Sequence, residues 1–171
     1  MSHAESTDGT HLRSNADISD ANTQSTHVCE LQFRSFGRRL RFAGPCHPLR
    51  VDEDHRPLDV ALSQPGRGRV LVVDARGSMR VGVCGDRLAT ISVKNGWAGL
   101  VIHGLIRDSR AIGLLDIGIK ALGATALRGA QARPSVEGEP VHFGGVRFDT
   151  SCWVYSDEDS VLVGPEPASL A

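Results

Sequence analysis

From Val70 to Leu122 short apolar runs alternate with helical segments, and no other feature of the chain restricts its fold as much. Residues 70–74 (Val-Leu-Val-Val-Asp) are apolar and β-branched without alternation, which suits a strand covered on both faces. Residues 79–84 read as a second strand. Over residues 86–95, Leu88 with Ile91 and Ala89 with Val93 recur at helical spacing on adjoining faces, and Gly96 follows as a C-terminal stop. Strands over 100–103 and 119–122 flank a helix over 109–115, which Asp108 can cap. A strand–helix–strand–helix–strand rhythm predicts parallel strands joined by crossover helices, hence an α/β fold.

The flanks are less regular. Residues 1–15 are polar and read as a disordered extension; residues 16–22 allow a short helical turn capped by Asp17. Residues 33–42 interleave four arginines with three phenylalanines, readable as an anion- or RNA-binding strip or as a turn at Gly37 with Phe inward and Arg outward. Gly44-Pro45 marks a break, 47–51 a strand and 57–62 a short helix. Residues 125–138 read as a long loop. Beyond it the pattern turns antiparallel: 141–143 and 146–148 around Gly144-Gly145 form a hairpin, and 153–155 and 161–163 flank an acidic turn at 157–159, read as solvated.

A length of 171 residues bounds the chain to one domain, expected over 16–167 with a tail at 168–171. A net charge of −1 supplies no general attraction to nucleic acid or to a membrane, so neither partner is expected. No apolar run reaches the length of a membrane-spanning helix, and the polar N-terminal residues lead us to expect no secretory signal. Cys29, Cys46, Cys84 and Cys152 show no metal-binding spacing and read as buried free thiols, which fits a reducing cytoplasm.

The chemistry concentrates between Gly82 and Asp108. Asp86 and the pair Arg107-Asp108 each stand just past the end of a strand; if those strands are neighbours, a cation and two carboxylates converge on one cleft. A helix starting after Gly85 offers unpaired N–H groups near Asp86, Arg87, Leu88 and Ala89 to an anion. Arg107 can clamp a carboxylate, and Asp108 is a hard oxygen ligand suited to Mg²⁺ or Mn²⁺. Spacing alone equally allows two helix caps and a local ion pair. Asp74 reads as a turn cap, His103 as a hydrogen-bonded, partly buried ring, and Cys84 as packing.

From about Asp17 to Pro165 the chain resembles the family of the regulator of ribonuclease E activity A, which also contains the 4-hydroxy-4-methyl-2-oxoglutarate aldolases. The residues that carry the resemblance are 33–37 Phe-Arg-Ser-Phe-Gly, 41–45 Arg-Phe-Ala-Gly-Pro, 68–74 Gly-Arg-Val-Leu-Val-Val-Asp, 85–89 Gly-Asp-Arg-Leu-Ala, 94–99 Lys-Asn-Gly-Trp-Ala-Gly, Arg107-Asp108, 116–118 Asp-Ile-Gly, 121–123 Ala-Leu-Gly, 144–146 Gly-Gly-Val and 157–159 Asp-Glu-Asp. The resemblance implies a swivelling ββα-type three-layer sandwich, with a central mixed sheet, crossover helices and C-terminal antiparallel hairpins. It also implies a ring-shaped homotrimer with active sites at subunit interfaces.

In the aldolase members an acidic residue, twenty further residues and then Arg-Asp mark catalytic competence; Asp86, Arg107 and Asp108 reproduce that pattern. The resemblance thus implies cleavage of a small α-keto acid to pyruvate, and decarboxylation of oxaloacetate. Asp86 and Arg107 would be catalytic. Gly85, Asp86, Arg87, Leu88, Ala89 and Arg107 would bind substrate, and Asp108 would hold Mg²⁺ or Mn²⁺. No Schiff-base lysine is needed, and the chain has only Lys94 and Lys120. Other members regulate ribonuclease E, so a ribonuclease E-type partner is the alternative, with the 34–41 strip as its contact. The chain departs from the family's turns at 75–77, 149–152 and Ser160, where losing a glycine at positive φ costs about 1 kcal/mol.

Overall fold

The structure, a computed structural model, describes residues 13–169. Most of the expected extension, through residue 12, and the last two residues of the expected tail lie outside them. In chain order the elements are α1 (Asn15–Ala21), β1 (His27–Val28), β2 (Arg34–Phe36), β3 (Phe42–Arg50), α2 (Arg56–Leu62), β4 (Val70–Asp74), β5 (Gly82–Cys84), α3 (Asp86–Lys94) and β6 (Gly99–Ile106). Then follow α4 (Ser109–Ile112), β7 (Gly118–Ala124), β8 (Val136–Glu137), β9 (Val141–Phe143), β10 (Val146–Phe148), β11 (Trp153–Ser156) and β12 (Val161–Gly164).

β3, β4, β6 and β7 form a parallel centre, and β5 also runs parallel to β6. Antiparallel strands extend it on both sides, β2 on β7 and β11, β12 and β1 beyond β3. The unbroken apolar run of β4 is explained by burial on both faces. Leu71 and Val73 join Leu100 and Ile102 of β6 beneath Leu58, Leu62, Leu88 and Ile112 from the helices. Val70, Val72 and Val101 point the other way, under Phe143, Val146 and Phe148 of the β9–β10 hairpin. Helices, mixed sheet and hairpin thus make the three layers. Each fully buried Val, Leu or Phe contributes about 1.5–3 kcal/mol to holding them together.

Helix α3 follows its sequence signals closely. Leu88, Ala89 and Ser92 face the core, Asn95 caps the C-terminus, and Gly96 leaves at φ +73°. Several other expectations are corrected. Helix α1 starts at Asn15 and is capped by Ser14, whose hydroxyl accepts from Asp17 N at 3.1 Å; Asp17 is not the cap, and Asn15 belongs to the fold. Gly44 and Pro45 lie inside β3, where it changes partners from β11 to β4. Gly44 is needed because a Cβ there would stand 2.0 Å from Gly68 O.

The strand expected over 79–84 begins only at Gly82, because Ser78 and Arg80 turn outward to bind Glu53. Strand β6 runs on to Ile106, through a Gly104 that makes room for Ala75. The helix after Asp108 has four residues, and Asp108 makes no side-chain cap bond. Asp157 is buried rather than solvated, accepting from the backbone N–H groups of Asn15, Asp159 and Ser160. Among the departures from the family's turns, Arg76 has φ +57°, so the glycine cost applies there; Ser160 and the 149–152 turn carry no positive φ.

Candidate active site

The pairing of β5 with β6 brings the two strand ends together. Gly82 lies opposite Leu105 and Cys84 opposite Ile106, and Arg107 N donates to Cys84 O at 2.9 Å. Gly85-Asp86 and Arg107-Asp108 therefore leave the sheet side by side. Two glycines make the space. A Cβ on Gly82 would stand 2.9 Å from Arg107 Cγ, and one on Gly85 would stand 2.8 Å from Asp108 Oδ2. The resulting pocket, of about 190 Å³, is lined by Gly82, Val83, Gly85, Asp86, Arg87, Leu88, Arg107 and Asp108, together with His55 and Arg128.

Asp108 sits at φ +60°, a left-handed conformation that disfavours a residue with a side chain. Its carboxylate is free of capping, and Arg107 Nε stands 3.6 Å from Oδ2, beyond a hydrogen bond. Both side chains are partly open to the pocket. Asp86 Oδ1 accepts from Arg87 N at 2.8 Å, leaving its second oxygen without a protein partner among the described residues.

The expected anion cradle is narrower than the sequence suggests. Ala89 N donates to Gly85 O at 3.0 Å, and Arg87 N is held by Asp86. The N–H groups of Asp86 and Leu88 remain without partners among the described residues. The Arg87 guanidinium binds Asp59 instead of turning inward. Cys84 is buried, and burial, with Asp108 and Asp86 nearby, pushes its thiol up to about 12. It stays protonated and is no nucleophile.

The carboxylates of Asp86 and Asp108 share this pocket, but no group of three or more His, Cys, Asp or Glu gathers anywhere among the described residues. That donor set does not fit a closed zinc site. It does fit a hard cation such as Mg²⁺ or Mn²⁺, which binds through one or two carboxylates and otherwise keeps water or substrate oxygens. Asp108 is the ligand best presented for it.

The remaining polar candidates are structural. His103 Nδ1 lies 3.0 Å from Asp74 Oδ1, and its ring stacks on Phe143. Burial pushes Asp74 up, but His103 and the Arg76 N–H outweigh it and hold the carboxyl below its ordinary value. Lys120 is buried in β7, its Nζ donating to Ser35 Oγ at 2.8 Å, and it does not line the pocket. In the arginine strip Phe36 and Phe42 are buried, Arg39 pairs with Asp116, and Arg41 with Glu158.

Two pocket residues went unnoticed in the sequence, His55 and Arg128. His55 opens α2, and Arg128 lies in the loop after β7. Only the tertiary fold carries them to the end of β5, and no local pattern marks either one.

No helix among the described residues is long and apolar enough to cross a membrane. Among curated proteins, one from Aromatoleum aromaticum is 44% identical over 148 residues, covering 86% of this chain and 93% of its own. One from Laribacter hongkongensis is 41% identical over 152 residues, covering 89% and 96%. Both are named "Putative 4-hydroxy-4-methyl-2-oxoglutarate aldolase". Among solved structures, a protein from Geobacillus kaustophilus described as S-adenosylmethionine: 2-dimethylmenaquinone methyltransferase superposes with a TM-score of 0.89 at 39% identity, covering 92% of this chain and 98% of that one. The RNA-processing inhibitor RraA from Thermus thermophilis superposes with a TM-score of 0.86 at 36% identity, covering 91% and 94%. The family model described as RraA-like: Aldolase/RraA matches residues 15–163, and the chain belongs to that family.

Proposed function

We propose that this protein is a divalent-metal-dependent (class II) aldolase that cleaves 4-hydroxy-4-methyl-2-oxoglutarate to two molecules of pyruvate, and that it decarboxylates oxaloacetate through the same pyruvate enolate. The observation that carries the reading is the convergence of Asp86, Arg107 and Asp108 on one pocket at adjacent strand ends. The name shared by the curated relatives agrees with it.

The residues divide the work as follows. The Arg107 guanidinium and the free N–H groups of Asp86 and Leu88 receive the substrate's 2-oxo acid end, whose negative charge grows as the bond breaks. The open oxygen of Asp86 orders a water that takes the proton from the C4 hydroxyl. The C3–C4 bond then breaks, its electron pair entering the 2-oxo acid fragment as an enolate, while C4 becomes the keto carbon of the second pyruvate. The enolate carbon then takes up a proton from that water. Asp108 would hold a divalent cation, which would supply Lewis-acid stabilisation of the developing enolate charge.

The same reading takes the assembly to be a homotrimer with the cleft completed by a neighbouring copy. Leu114 and Leu127, 75% and 62% exposed, line two cavities beside the cleft, and a covering subunit would bury them. Regulation of RNA processing, the role in the name of the Thermus relative, gains less support. In the 34–41 strip Phe36 is buried and Arg39 and Arg41 are engaged by carboxylates, which leaves no exposed aromatic ring there for stacking. The test is pyruvate release from 4-hydroxy-4-methyl-2-oxoglutarate by purified protein with Mg²⁺ or Mn²⁺. Release is expected, and none with either metal overturns the reading.

A further inference from the structure

Arg128 stands on the far side of β5 from Arg107. Gly82 N donates to Leu127 O at 2.8 Å, and Gly129 N donates to Gly82 O at 3.1 Å, so the segment carrying Arg128 pairs with Gly82 like an added strand. The other side of this segment is pinned as well. His55 N donates to Gly129 O at 3.0 Å, Asp54 bridges Ala130, and a Cβ on Gly129 would stand 2.4 Å from Glu53 O. The backbone beneath Arg128 is therefore set before any ligand arrives, which lowers the ordering cost of binding.

Arg128 lines the pocket from this platform and has no carboxylate partner among the described residues, whereas Arg56, Arg80, Arg87 and Arg133 each have one. Beside it, His55 Nδ1 lies 2.7 Å from Gly129 O. A carbonyl only accepts, so Nδ1 carries the hydrogen of this bond. Arg107 and Arg128 leave strands on either side of Gly82, two strand spacings or about 10 Å across the sheet. The pocket is thus positively charged at two separated points, with the Asp86 and Asp108 carboxylates at the Arg107 side. A neighbouring cavity of about 510 Å³ also borders Arg128, leaving room for a substituted chain.

We infer that Arg128, assisted by His55, forms a subsite for the second carboxylate of a dicarboxylic 2-oxo acid, and that it selects such acids over monocarboxylic ones. The inference rests on the proposed function for which end of the substrate faces Arg107, but Arg128 makes a binding claim of its own. Its length and planar fork suit a carboxylate, and a charge-assisted pair of this kind discriminates about tenfold or more against a ligand lacking the charge.

The experiment compares binding of 2-oxoglutarate and 2-oxovalerate, equal in chain length and unable to undergo the cleavage, by calorimetry on the full chain with Mn²⁺. The wild type is expected to bind 2-oxoglutarate at least about tenfold more tightly. Arg128→Met should bring the ratio close to one while leaving 2-oxovalerate affinity unchanged, and Arg128→Lys should keep part of the preference. A wild type without preference, or binding neither acid, overturns the inference. So does an Arg128→Met variant that keeps the preference or weakens both acids equally. If the preference behaves as expected but no pyruvate is released from 4-hydroxy-4-methyl-2-oxoglutarate, the subsite stands and the assigned reaction falls.

Discussion

Asp108 Oδ2 lies so close to Gly85 that a Cβ added there would approach it to 2.8 Å. Gly85 has φ −121°, an extended conformation open to any residue, so alanine would meet no backbone strain. Gly85→Ala therefore tests the space alone. It should displace the Asp108 carboxylate and lower kcat about a hundredfold, as misplacement by an ångström does, while Tm moves by no more than about 4 °C. Pyruvate release and thermal melting on the same preparation check both halves.

Arg107 and Asp86 should fail in different ways. Arg107→Lys keeps the charge but loses the planar fork, so it should raise KM and lower kcat together, with kcat/KM down about a hundredfold. Asp86→Asn leaves the helix N–H groups in place and removes only the water-ordering carboxylate. It should lower kcat with KM nearly unchanged, the signature of an interaction made in the transition state. Steady-state kinetics of the two variants separates these roles.

A Schiff-base route would need a lysine at the pocket. Lys120 is buried and bonded to Ser35, and burial pushes its pKa down, yet it lies in mid-strand. Borohydride added with pyruvate should leave activity intact and the protein's mass unchanged. Lys120→Met, which removes a buried charge, should remain active.

Acid should weaken the fold through two surface carboxyls. The Arg80 guanidinium and Ser78 hydroxyl hold Glu53 at about 2, and the Ser151 hydroxyl and Arg147 do the same for Asp149. Folded values below the unfolded ones mean that this stabilisation is complete above the ordinary carboxylate range and is lost as pH falls toward about 2. Arg80→Met removes Glu53's main partner. Its stability deficit in urea titrations, small near neutrality because Arg80 is mostly exposed, should close between about pH 5 and pH 2.

What the sequence displayed was what short range decides. Leu88, Ala89 and Gly96 announce α3, Val70 to Val73 announce a strand buried on both faces, and Gly144-Gly145 announces the hairpin. The convergence of Asp86 with Arg107-Asp108 was conditional on strand order, which spacing cannot supply; the pairing of β5 with β6 meets that condition. For Asp108 residue type allows both a helix cap and a hard metal ligand; at φ +60° it makes no side-chain cap bond and lines the pocket. Gly44-Pro45 passed for a break because a strand's change of partners leaves no local mark. Asp157 passed for solvated because Asn15, which buries it, lies at the opposite end of the chain. His55 and Arg128 were invisible for the same reason of distance.

Metal-assisted cleavage at this pocket would depend on Asp108. The most direct test is pyruvate release from 4-hydroxy-4-methyl-2-oxoglutarate by wild type and Asp108→Asn, each stripped with EDTA and then titrated with Mg²⁺ or Mn²⁺. EDTA should abolish wild-type activity and either metal should restore it, whereas Asp108→Asn should stay at least about a hundredfold lower at saturating metal. Full activity in EDTA, or an Asp108→Asn variant restored to the wild-type rate, would contradict that dependence.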